Sequence, residues 1–138
     1  MEHGTQAEAG ERQGREIREG LRAALTAAMK ARDRVAVAAL RSTLAALENA
    51  EAVDRPAGTD ARLGIGQIPV GVGAAEAERR VLTSAQVVGL VRAEVAEREA
   101  AAREYERSGH VEQAERLRGE AGVIAAQLER GAGTAAED

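Results

Sequence analysis

The chain has no cysteine, tryptophan or phenylalanine, and only one tyrosine, two histidines and two prolines in 138 residues. Without cysteine there can be no disulfide, thiolate metal site or cysteine nucleophile. The histidines, His3 near the N-terminus and His110 beside a glycine, are too few for a histidine-based metal cluster or catalytic triad. Scarce aromatics remove the usual platforms for stacking nucleic-acid bases. No run approaches 18 apolar residues, and "MEHGTQAEAGERQG" lacks the apolar segment of a signal peptide. A soluble, cytoplasmic protein without membrane partners or cofactors is the expectation.

What is present favours helix. Ala, Glu, Arg and Leu dominate, and β-branched runs are short, so an all-α fold is expected. The hydrophobic fraction of 44% includes 32 alanines, each of which buries little area at about 25 cal/mol per Å². A small core of modest stability follows. Carboxylates are plentiful but patterned as solvated helix faces, with no pair set in an apolar environment, and no catalytic residue is assigned.

Apolar periodicity divides the chain into four main helices, expected as two antiparallel pairs. Residues 1–14 are polar and aperiodic and are expected to be a disordered tail, while 15–129 form the domain. Helix 1 (15–31) carries Ile17, Leu21, Leu25, Ala28 and Met29 at steps of three and four. Helix 2 (about 34–52) carries Val37, Leu40, Leu44 and Leu47, with Arg41 at the border of that stripe and Glu51 nearly on it. Residues 53–81 hold both prolines and five glycines without a lasting period, and read as a flexible linker within the domain. "GIGQIPVGVG" inside it is followed by no Lys-Ser/Thr pair and preceded by no strand pattern, which argues against a phosphate loop and for a linker.

"LTSAQV" is a capping box, with Thr83 three residues before Gln86 and a staple formed by Leu82 and Val87. Helix 3 follows over about 84–108, with Val87, Val91, Val95 and Ala102 inward and i,i+4 pairs Glu94–Arg98 and Glu99–Arg103 on an exposed face. Gly109 ends it in the position after the C-cap. Helix 4 (about 111–129) aligns Val111, Ala114, Leu117, Ala121, Ile124 and Leu128, and 130–138 are expected to be a second disordered tail.

Against a net charge of −4, residues 20–47 carry five cations (Arg22, Lys30, Arg32, Arg34 and Arg41) and one acid, Asp33. Lys30 and Arg32 suit the carbonyl end of helix 1, and Asp33 can cap helix 2. The same cluster, Lys30, Arg32, Arg34 and Arg41, has the charge to contact nucleic-acid phosphates. Arg41 is also expected to be partly buried and clamped to a carboxylate, Glu48, Glu51 or one from helix 3.

The "MKARD" turn, the "ALRSTLAALENAE" helix with Arg41, Asn49 and Glu51, the "LT" cap and the "EYERSGHVEQAERLRGE" hairpin together resemble the YqeY family. This helical domain also occurs at the C-terminal end of the GatB subunit of tRNA-dependent aspartyl/glutamyl-tRNA amidotransferase. The resemblance covers about residues 21–128. Family members continue with an apolar-Tyr-Leu-Pro step and a small second helical domain, where this sequence reads "AAQLERG". The resemblance implies a non-catalytic accessory role near a glutamine-dependent carbon–nitrogen ligase, with tRNA or amidotransferase subunits as partners. A helical protein-binding adaptor with no nucleic-acid role is the alternative.

Overall fold

The computed structural model describes the backbone of residues 2–52 and 81–137, and side chains over 11–52 and 81–132. The described residues form four helices and no strand: α1 (Glu2–Ala31), α2 (Arg34–Ala52), α3 (Ser84–Arg107) and α4 (Val111–Glu137). The linker assigned to 53–81 lies, except for the exposed Val81, outside the described residues. No described helix is long and apolar enough to cross a membrane.

Both chain ends differ from expectation. α1 begins at Glu2 and α4 continues to Glu137, so the segments expected as tails, 1–14 and 130–138, are largely helical. Their Ala, Glu, Gln and Arg content outweighs the local cost of glycine, about 1 kcal/mol per residue. Two of those glycines are packing positions. Gly14 is buried and its N–H donates to Ser84 Oγ at 2.8 Å. A Cβ on Gly131 would lie 2.6 Å from Ile17 Cγ1, so its absence is what lets α4 approach α1.

Ile17, Leu21 and Ala28 of α1, Ala36, Ala39, Leu40 and Leu47 of α2, Val87 and Val91 of α3, and Ile124 of α4 form one core cluster. The α3–α4 contact is the most extensive, but α4 also packs on α1 and α2, and α1 on α3. The helices therefore share a single core. Thr43 is fully buried in α2, its hydroxyl satisfied by donating to Ala39 O at 2.8 Å. Met29 and Val111, on the expected apolar stripes, are instead about half exposed.

The glycines of α4 give opposite expectations. A Cβ on Gly122 would meet nothing within 4 Å, so Gly122→Ala should raise stability by about 1 kcal/mol through helix propensity. Gly131→Ala gains the same propensity but drives its methyl into Ile17, which is 1% exposed and has little room to move. Overpacking of this kind costs about 1–3 kcal/mol, leaving a net loss on the order of 1 kcal/mol. Thermal denaturation of the two variants should move the midpoint in opposite directions.

Both interhelical turns use the same backbone motif. At the end of α1, Arg32 N–H donates to Met29 O at 3.2 Å and Asp33 N–H to Ala28 O at 2.9 Å. At the end of α3, Gly109 N–H donates to Glu106 O at 3.1 Å and His110 N–H to Tyr105 O at 2.8 Å. These are Schellman turns, which need a left-handed residue after the C-cap. Gly109 supplies it at φ 84°, and Arg32 supplies it at φ 58°.

The starts of α2 and α3 are capped by side chains. Asp33 Oδ1 accepts from Ala36 N–H at 3.1 Å. Thr83 Oγ1 accepts from Gln86 N–H at 3.1 Å, and Gln86 Oε1 accepts from Thr83 N–H at 2.9 Å, a reciprocal capping box.

Candidate nucleic-acid interface

The α1–α2 turn fixes the position of the cation cluster. Arg34, Val37, Ala38 and Arg41 fall at i, i+3, i+4 and i+7 and so share one face of α2. The turn brings Met29 and Arg32 beside that face. Together the six residues line an open groove of about 510 Å³. Lys30 is exposed in the last turn of α1 but does not line the groove. Among the described residues, Lys30, Arg32, Arg34 and Arg41 form no ion pair.

Arg41 is not the partly buried clamp expected from the helix 2 stripe. It is exposed, and its Nη2 lies 4.0 Å from Met29 Sδ, with no carboxylate partner among the described residues. The reason is the rotation of α2. Its buried face is Ala36, Ala39, Leu40, Thr43 and Leu47. At about 100° per residue, that face centres roughly 145° from Arg41. Val37 and Leu44, which define the expected stripe, are only half-buried.

Glu51 is clamped, by a different arginine. Arg18 Nη2 sits 3.3 Å from Glu51 Oε2 and Nη1 donates to Oε1 at 3.4 Å, tying α1 to the end of α2. Glu48 is exposed. Arg18 lies beside Ile17 on α1, and nothing in its local spacing separates it from the other helix-surface arginines.

The Glu94–Arg98 pair, expected on a solvated face, belongs to a sheltered network. Arg98 Nη1 donates to Glu94 Oε1 at 2.9 Å, and Nε donates to Glu120 Oε1 of α4 at 2.9 Å. Ser42 Oγ of α2 donates to Glu94 Oε1 at 3.4 Å, joining a third helix. Burial alone would lower the Arg98 pKa, but hydrogen bonds and charges from Glu94 and Glu120 outweigh it and hold the pKa above the ordinary arginine value. The guanidinium is thus a fixed charge with its partners in place, suited to holding helices together. Elsewhere, Arg118 hydrogen-bonds Glu106 at 3.0 and 3.2 Å and holds that carboxyl below the usual glutamate range.

His110 stays at the α3–α4 turn, its Nδ1 3.1 Å from Ser108 Oγ and its ring edge-on to Tyr105 at 5.9 Å. No group of His, Cys, Asp or Glu among the described residues could hold a metal ion. The polar networks above serve to join helices, whereas the open cationic groove leaves its charge toward solvent.

Arg32 has a cost there. A non-glycine residue in the left-handed region is disfavoured by about 1–2 kcal/mol, and the equivalent position of the other turn is Gly109. Arg32→Gly should therefore raise stability by about 1 kcal/mol, less the added freedom of the unfolded chain. Chemical denaturation measures this, and an unchanged or lowered midpoint would mean the turn carries no such strain.

No family model, curated protein or solved structure matches the chain.

Proposed function

We propose that this chain is a non-catalytic helical module that binds tRNA weakly, through backbone phosphates, at the α1–α2 groove. The observation that carries this reading is the convergence of Arg32, Arg34 and Arg41 on one open groove, without a carboxylate partner among the described residues and with Lys30 exposed nearby. The resemblance to the YqeY family supports tRNA as the polyanion and a glutamine-dependent amidotransferase as the setting. Carbon–nitrogen ligase chemistry would belong to partner subunits, because the sequence offers no cysteine nucleophile and too few histidines for a catalytic triad.

Three to four phosphate contacts give a slope on the order of −3 to −4 for log affinity against log salt. Affinity should fall in the non-specific range, roughly 10⁻⁴ to 10⁻⁶ M at physiological salt. Fluorescence anisotropy of labelled tRNA across a salt series tests this, repeated with Lys30, Arg32, Arg34 and Arg41 changed to Gln. Nanomolar binding that persists at about 200 mM salt, or binding unaffected in the quadruple variant, would refute it. The protein-adaptor reading draws on the half-exposed Met29 over Val37 and Ala38. It predicts association that is nearly indifferent to salt and marked by a negative heat-capacity change.

A further inference from the structure

Phosphate binding requires only charge, yet the groove between α1 and α2 also has an apolar floor. Met29 is 50% exposed there, with Val37 and Ala38 beside it. Arg41 lies against this floor, its Nη2 4.0 Å from the Met29 sulfur. A guanidinium is planar and weakly hydrated and stacks on flat π systems. A thioether makes favourable contacts with aromatic rings at about 5 Å. Side by side, the two form a surface with the properties of an aromatic platform in a chain whose only aromatic residue besides histidine, Tyr105, stands at the α3–α4 turn.

We propose that this groove takes one unpaired nucleotide of an RNA strand, its base against Arg41 and Met29 and its flanking phosphates on Arg32 and Arg34. The inference rests on the tRNA reading above and deepens it: the module prefers unpaired RNA to duplex. A volume of about 510 Å³ falls within the range of small-ligand clefts, roughly 300–1,000 Å³. No carboxylate is among the lining residues, while the chain as a whole carries a charge of −4. The groove thus presents cations with no acid among its lining residues, which favours an anionic ligand at this corner. Bases in an A-form duplex are held in their stack and cannot reach such a floor, whereas bases in loops and ends can be splayed onto arginine planes.

The test compares a labelled single-stranded octaribonucleotide with a blunt RNA hairpin of the same phosphate count, by anisotropy on the full chain at one salt concentration. Wild type should bind the single strand about two- to five-fold more tightly, the size of an exposed guanidinium–π contact. Arg41→Lys keeps the charge and removes the plane, and Met29→Ser removes the thioether. In each variant the ratio of the two affinities should collapse toward one. Both side chains are exposed, and far-ultraviolet circular dichroism confirms that the variants fold. Equal affinity of wild type for the two RNAs overturns the unpaired-base inference while leaving tRNA binding in place. A preference that survives in both variants also overturns it. Absence of binding to either RNA, with saturable binding of an acidic amphipathic peptide, assigns the groove to a protein and overturns both readings.

Discussion

Leu40→Ala is expected to lower the free energy of unfolding by about 3 kcal/mol. Leu40 is 1% exposed and is among the few large side chains in a core rich in alanine and valine. Its neighbours along α2, Ala36 and Ala39, are themselves buried and have no side-chain length with which to fill a void. A cavity that cannot collapse adds its own cost to the lost transfer free energy. Met29→Ala, which removes a side chain of similar size from an expected apolar stripe, should stay within about 0.5 kcal/mol because Met29 is half exposed. Urea unfolding of both variants, with the slope against denaturant unchanged, measures the difference. A Leu40→Ala loss under about 1 kcal/mol would mean that the helices can close over the cavity.

That contrast also marks where sequence reasoning holds and where it stops. Thr83, Gln86, Gly109 and Asp33 are legible because each acts within a few residues of itself, and the side chain that caps or turns is the signal. Arg32 does the work of Gly109 in the same turn, but an arginine carries no mark of a left-handed backbone. Gly14 and Gly131 look in the linear sequence like residues that loosen the chain ends, because their reason for being small is a partner remote in sequence, Ser84 and Ile17 respectively. The stripe of α2 is misplaced for a related reason. Counting Val and Leu locates the bulky residues, whereas helices that pack closely bury Ala36 and Ala39 and turn Val37 partly outward.

The candidate interface divides in the same way. That Lys30, Arg32, Arg34 and Arg41 cluster is visible in the linear sequence. That Arg41 points away from the core, and that Met29 lies beside its guanidinium, depends on the rotation of α2 about its axis. Because that rotation is set by packing of α2 on three other helices, no window of local sequence contains it.

The second large effect is expected at Arg98, a residue legible from sequence only as half of a surface pair. Its side chain is 11% exposed, and those of Glu94 and Glu120 are 16% and 14% exposed. Removing one member of a fully buried ion pair costs about 3–5 kcal/mol, because the remaining charge is stranded. Here some solvent still reaches all three groups, so Arg98→Met should cost less, about 2 kcal/mol. The cost has two candidate origins: lost packing of the arginine stem between α3 and α4, or stranding of two carboxylates near each other. Methionine keeps much of the stem, so stranding should dominate. Adding Glu94→Gln and Glu120→Gln to Arg98→Met removes the stranded charges and should recover most of the loss, since apolar or neutral replacement of such a cluster is often close to neutral. Each glutamate change alone, in the presence of Arg98, should be mildly destabilising, because one carboxylate partner remains. Denaturant titrations of the single, double and triple variants give the coupling energies directly. If the triple variant is as unstable as Arg98→Met alone, packing of the arginine stem, and not its charge, is what joins α3 to α4 at this point.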